Sequence, residues 1–278
     1  MKKNIVIVGL GLIGGSLAKA FTQYTDCRVA GIDTDPAALE AALACGAVTK
    51  VGDDNDLRSA DIVYLCLYPQ ADIDFVKGHL SAFSPHTIVT DVCGIKTEVC
   101  RALTALSKKG GFPYCGAHPM AGTEKHGFSA SRADLFQGAS YILVPCSAPA
   151  QVQELLRQTA FTLGFGRSVT TTPEEHDQMI AFTSQLPHAL ACAYVMSPRC
   201  LGHRGFSAGS YRDVSRVANI NEVMWAELFL DNRAALTAEL DTLLENLSDI
   251  RSAVAENDRN KLEALLRQGR LIKEELGE

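Results

Sequence analysis

The chain has 278 residues, 47% of them hydrophobic, and a formal net charge of −6. That apolar content suffices for a substantial core in one or two domains and excludes disorder as the default. The acidic balance argues against nucleic acid as the main partner, because phosphate backbones demand clustered Lys and Arg; a small anionic substrate held by a local Arg is still allowed.

Met1-Lys2-Lys3 runs straight into Asn4-Ile5-Val6-Ile7-Val8, which glycines interrupt too soon for a signal peptide. No apolar stretch reaches the ~20 residues that span a bilayer. The nine cysteines are scattered, with no Cys-x-x-Cys pair. A cytoplasmic protein with free thiols is expected, with Cys66, Cys115 and Cys192 as small core residues.

The 4–8 run predicts a strand, and Gly9-Leu10-Gly11-Leu12-Ile13-Gly14-Gly15 after it a tight turn opening a helix. Two glycines let the backbone turn and approach a pyrophosphate, and a third lets helix and strand pack closely. The N–H groups of Leu12 and Ile13 belong to the helix start, whose dipole favours an anion. Val29-Ala30-Gly31-Ile32 predicts a second strand ending at Asp33, about twenty residues past the glycines, where a carboxylate accepts from a ribose 2′-hydroxyl. Asp33 and Asp35 offer no Arg for a 2′-phosphate, so the cofactor is expected to be NAD. A helix starts at Pro36, capped by Asp35, and ends at Cys45-Gly46.

Further strands are predicted at 61–67, 87–91, 113–117 and 141–144, alternating with helical segments. The class is therefore α/β, a mainly parallel sheet with helices on both faces. Ligands in such sheets bind beyond the carboxyl ends of the strands, so the loops after Leu67, Asp91 and Ala117 should face the cofactor. Thr172-Pro173-Glu174-Glu175 is a helix start, and the rest of the chain reads as almost wholly helical. The boundary is placed at 171: a dinucleotide-binding domain over 1–171 and a helical domain over 172–278. The broad apolar faces of its helices predict burial against a second copy, a homodimer.

Four segments carry candidate chemistry. His118 lies just past a strand end and suits a neutral base that takes a hydroxyl proton as hydride leaves, or a histidine that merely braces its loop. Asp91, Gly94 and Lys96 follow another strand and suit a wall of the cofactor pocket, or a capping turn. Pro187 should kink its helix and re-aim His188, which otherwise reads as a core histidine. Arg212 and Arg216 are spaced to share a helix face and could clamp a carboxylate, or simply be surface charge. There is no His-Glu-x-x-His or paired-cysteine metal pattern and no Gly-x-Ser-x-Gly elbow.

Gly-Leu-Gly-Leu-Ile-Gly-Gly-Ser at 9–16, His-Pro-Met-Ala-Gly-Thr-Glu at 118–124, Glu-Glu-His-Asp at 174–177, Leu-Pro-His at 186–188 and Arg-Asp-Val-Ser-Arg at 212–216 stand in this order. Together they resemble the prephenate/arogenate dehydrogenase family of tyrosine biosynthesis. The resemblance implies a Rossmann-type domain followed by an all-α dimerisation domain, and NAD-dependent oxidative decarboxylation of prephenate to 4-hydroxyphenylpyruvate. It implies His118 as the base, Arg216 on a substrate carboxylate and His188 in the substrate pocket, with Thr123 and Ser184 lining it. Glu124, Asp177 and Asp213, with Arg212, resemble a gating network at the mouth of the site. Many members carry a Ser in the loop after the Asp91 strand, where this chain has Gly94. Two alternatives stand beside this one: arogenate as the substrate, giving tyrosine directly, and a non-catalytic NAD(H)-binding sensor.

Overall fold

The computed structural model describes residues 2–123 and 125–277. One eight-stranded sheet is built from β1 (Asn4–Val8), β2 (Arg28–Ile32), β3 (Lys50–Val51), β4 (Ile62–Leu65), β5 (Ile88–Asp91), β6 (Tyr114–Pro119), β7 (Ser140–Val144) and β8 (Arg167–Thr170), in the order β3-β2-β1-β4-β5-β6-β7-β8. The first six strands thus follow the doubly wound dinucleotide-binding order. Every pairing is parallel except β6 with β7, where Gly116 faces Val144 and His118 faces Ile142. Helices α1 (Leu12–Tyr24), α2 (Pro36–Ala44), α3 (Asp54–Ser59), α4 (Pro69–Gly78), α5 (Thr97–Gly110) and α6 (Ala150–Thr162) connect the strands.

Successive residues of a strand point to opposite faces, so a strand covered on both sides must be apolar throughout. In β1, Ile5 and Ile7 enter one core with Phe21, Tyr64 and Phe136, while Val6 and Val8 enter the other with Val63, Leu65, Val89 and Tyr114. Of the three cysteines expected in the core, Cys115 is buried, whereas Cys66 and Cys192 are half-buried. Strands β3 and β8 were not expected. Both lie at the sheet edges, and β3 is two exposed residues long, too short for any periodicity to register.

Beyond Thr170 the chain is helical: α7 (Pro173–Ile180), α8 (Leu186–Val195), α9 (Gly209–Ser215), α10 (Glu222–Asp231), α11 (Arg233–Ala255) and α12 (Arg259–Leu276). Thr172 caps α7 by accepting from Glu175 N, as its sequence predicted. The kink expected at Pro187 is a π-helical turn over Ala181–Gln185. Proline has no N–H to give residue 183, so the ladder slackens one residue wider before the proline resumes a regular helix. Among the described residues no helix is long and apolar enough to cross a membrane.

Candidate active site

The glycine turn is built by exclusion. Gly9 adopts φ +90°, and a Cβ there would lie 2.6 Å from the Cys66 carbonyl oxygen. A Cβ on Gly14 would come within 1.9 Å of the Gly9 carbonyl oxygen, whereas one on Gly11 would meet nothing within 4 Å. Gly9 therefore makes the turn, Gly14 lets α1 sit against it, and Gly11 faces open space where a pyrophosphate can reach the backbone. Leu12 and Ile13 are half-buried at the helix start and pack on the core. Asp33 Oδ2 accepts from Leu10 N at 2.6 Å and Oδ1 from Asp35 N at 2.8 Å. Each oxygen keeps a lone pair for a ribose hydroxyl. These residues fit a dinucleotide with an unphosphorylated ribose.

His118 lies within β6, one residue before its end and paired with Ile142, rather than just past the strand as expected. It is half-buried, with its ring over the loop after β5: a Cβ on Gly94 would stand 3.9 Å from His118 Nε2 and 3.9 Å from Leu228 of α10. On the other side of the ring, Nδ1 lies 2.9 Å from Nε2 of the buried His176. His176 Nδ1 is 2.7 Å from Asp177 Oδ1. The same carboxylate accepts from Lys96 N at 2.7 Å and from Thr97 N at 2.8 Å. Burial, the His176 ring and the Lys96 charge hold His118 well below the usual imidazole range. Burial also lowers His176, although its bond to Asp177 works the other way. Burial alone would raise Asp177, but bonds from His176 and Thr97 outweigh it and its carboxyl is held low.

Two expectations change here. Asp177 is 4% exposed and inside this buried chain, so it guards no opening. Asp91 and Lys96 are fully buried against each other beneath the loop rather than walling a pocket. Asp91 also accepts from Tyr114 Oη at 2.8 Å and Cys93 N at 3.0 Å, so its carboxylate is used internally rather than on a cofactor. Next to it, Asp72 accepts from Leu67 N at 3.2 Å and from the Cys93 thiol at 3.1 Å. Burial and the Asp91 charge push Asp72 up to about 7. Asp72, Asp91 and Cys93 hold ligand atoms within 4.8 Å of one another. Lys96 already supplies the cation of this cluster.

His188 sits in α8, one residue past Pro187. Its Nδ1 donates to Ser184 O at 2.8 Å, and its ring stacks on Trp225 at 3.9 Å. The backbone bond holds the proton on Nδ1 and leaves Nε2 as the acceptor. Trp225 and Leu228 are one helical turn apart on α10, so a single helix face reaches both His188 and the loop beside His118.

Family models for the "Prephenate dehydrogenase, nucleotide-binding domain" and the "Prephenate dehydrogenase, dimerization domain" match residues 17–162 and 172–268. The chain belongs to the prephenate dehydrogenase family. It is 33% identical over 272 residues to the cyclohexadienyl dehydrogenase of Zymomonas mobilis, covering 94% of this chain and 91% of that one. Crystal structures of two family enzymes superpose along almost the whole chain. The prephenate dehydrogenase of A. aeolicus, in complex with hydroxyphenyl propionate and NAD+, matches with TM-score 0.87 at 25% identity, over 99% of both chains. The arogenate dehydrogenase of Synechocystis matches with TM-score 0.83 at 27% identity, over 99% of this chain and 100% of that one.

The remaining residues carried by the family resemblance lie around these elements. Arg216 opens a short 3-10 turn, Arg216–Ala218, that packs on α8. Arg212 and Asp213 are exposed on α9. Arg216, the residue after its last turn, keeps helical dihedrals and its N–H donates to Arg212 O, so the two arginines lie one turn apart on one face as their spacing predicts. Thr123 is exposed and accepts from Lys125 N at 3.3 Å. Ser184 is half-buried in the π turn. Glu124 lies outside the described residues. His176 stands in the Glu-Glu-His-Asp segment that carries the resemblance but was given no role, and Leu228 has no local pattern that sets it apart from ordinary helical residues.

Proposed function

We propose that this dehydrogenase oxidatively decarboxylates prephenate to 4-hydroxyphenylpyruvate with NAD, in tyrosine biosynthesis. The observation that carries the reading is His118, kept neutral, with Nε2 turned toward the side-chain-free Gly94 in the loop after β5. NAD supplies the hydride acceptor. His118 Nε2 takes the proton of the ring hydroxyl as hydride leaves the same carbon. The bond to the ring carboxylate then breaks, CO2 departs, its electron pair completes the aromatic ring, and a proton returns to the phenolic oxygen. A base below the pH of the medium is unprotonated and ready, which is what the first step demands.

Arg216 is assigned to a substrate carboxylate, and His188, Thr123 and Ser184 to the pocket around the ring. Asp213, Arg212 and Glu124 are assigned to its mouth. Gly9, Gly11, Leu12, Ile13, Gly14, Asp33 and Gly94 are assigned to the cofactor side. A domain boundary at 171 is supported by the helix start at Thr172, just after the last strand. A homodimer formed through the C-terminal helices, acting in the cytoplasm where free cysteines persist, completes the proposal; all nine cysteines are unpaired.

The test is turnover. NADH absorbance should rise with prephenate and less with arogenate in parallel assays. Faster turnover of arogenate would reassign the substrate, and turnover of neither would refute the reading. His118→Asn should lower kcat about a hundred-fold or more, the scale of a lost general base, with NAD affinity unchanged. Arg216→Ala should act mainly on KM for prephenate.

A further inference from the structure

The geometry points to His176 as the positioning residue that decides which nitrogen of His118 is the base, with Asp177 fixing His176 in turn. This rests on the reading of His118 as base. Asp177, ionised, can only accept. The His176 Nδ1 at 2.7 Å from its Oδ1 must therefore carry a hydrogen. His176 is neutral, because burial and the Lys96 charge oppose protonation, so its Nε2 is bare. A bare nitrogen 2.9 Å from His118 Nδ1 leaves one arrangement, in which His118 Nδ1–H donates. With His118 neutral as well, its Nε2 holds the lone pair, and that is the nitrogen facing Gly94. With Asp177 ionised and both rings neutral, any other distribution of hydrogens puts two lone pairs or two N–H groups against each other.

The same carboxylate has a second duty. Helix α5 begins after Lys96 without a side-chain cap of its own. Asp177 reaches across from α7 and accepts from Lys96 N and Thr97 N, groups that a helix start leaves without partners. The anchor of the imidazole pair is thus tied to the loop after β5, which carries Gly94 beneath His118. When Nε2 takes a proton, the imidazolium already donates through Nδ1 toward a carboxylate-backed ring, and no reorganisation is needed. At Gly94 there is no side chain to orient His118 from its Nε2 side, so orientation comes from the Nδ1 side. His176 is 2% exposed and one imidazole removed from any bound substrate.

The test uses the full chain and nitrogen-15 NMR of its histidine rings, with the His118 signals assigned by their loss in His118→Asn. In the unsubstituted protein at neutral pH, His118 should show a protonated Nδ1 and a bare Nε2. His176→Leu should lose that tautomer and lower kcat about a hundred-fold, with KM for prephenate and NAD affinity within about threefold. His176→Gln, whose amide oxygen can accept where Nε2 did, should recover most of the rate and the Nδ1–H signal. A proton on His118 Nε2 in the unsubstituted protein would overturn the inference. So would a His176→Leu variant within about threefold of full kcat, or a folded His176→Gln no better than His176→Leu. Should His176→Leu not fold, the ring signals of the unsubstituted protein and of His176→Gln decide. Full activity in His118→Asn would instead refute the choice of base and leave the tautomer measurement to judge His176 on its own.

Discussion

Two glycines in one turn should fail in different ways when given a methyl group. Gly14→Ala drives a Cβ to 1.9 Å from a backbone oxygen that cannot rotate away. The backbone of α1 must shift, at a cost of roughly 1–3 kcal/mol or more, and melting without any ligand should show it. Gly11→Ala meets no protein atom within 4 Å. It should melt like the unsubstituted chain and instead weaken NAD about tenfold or more, because the methyl fills the space a pyrophosphate would use. Equal melting loss in both variants would mean that Gly11 is structural. Asp72 gives a pH prediction. Its folded value of about 7, against an ordinary 3.8, means that the folded chain holds a proton the unfolded chain has released across that window. Stability from this group is full below the lower value and is lost as pH rises toward the upper one. Asp72→Asn, always neutral, escapes that loss, so its melting temperature relative to the unsubstituted chain should rise between pH 5 and pH 8. A constant difference would show that Asp72 does not titrate there. The glycines and Asp33 were legible because their roles rest on backbone spacing within thirty residues. The role of His176 was not, although its Glu-Glu-His-Asp segment was noted, because it meets His118 across 58 residues and local spacing does not record such a contact.

At the scale of elements, the central strands were readable because burial on both faces forces an unbroken apolar run. The edges were not: β8 is largely exposed, and its alternation is lost among polar residues. The antiparallel turn of β7 was also hidden, since strand direction depends on the path of a connection rather than on composition. The kink at Pro187 was legible as a break but not as a π turn, because the form of the slack depends on what packs against it. Asn232, at the start of α11, is part of that packing. Its amide donates to Asp177 O at 2.8 Å and Gln185 Oε1 at 2.7 Å, joining α7, the π turn and α11. Asn232→Ala strands Gln185 Oε1 and takes one of two donors from Asp177 O, which keeps Ala181 N, and should cost about 1–3 kcal/mol of unfolding free energy. Hydrogen exchange in α7 and the π turn should quicken first. A loss below about 0.5 kcal/mol, the range of an ordinary surface change, would show that the junction is held by other contacts.

At the scale of the whole molecule, the sheet supplies the glycine turn and His118, while the helices supply His176, His188 and the face of α10. The helices themselves are left with uncovered apolar surface. Leu244 is 62% exposed and Val254 61% on α11, and Leu266 is 57% and Leu276 63% on α12. Leu247, Leu271 and Ile272 add to the same two helices and are also exposed. Each such side chain gains roughly 1.5–3 kcal/mol when fully buried, and a patch of this kind marks an interface rather than a wet surface. A second copy presents the same patch, so a two-fold pair can close over both. The mass in solution should therefore be about 60 kDa, twice the 29.9 kDa of one chain. Leu244→Glu together with Leu247→Glu places carboxylates one turn apart on α11 and should shift sedimentation to the single-chain mass. Helix content should be unchanged, because neither residue is buried within its own chain. If the doubly substituted protein still sediments as a dimer, the closing surface is not α11 but another helix face. If the unsubstituted chain is already a monomer at micromolar concentration, burial by a second copy is excluded as the reason for this exposure.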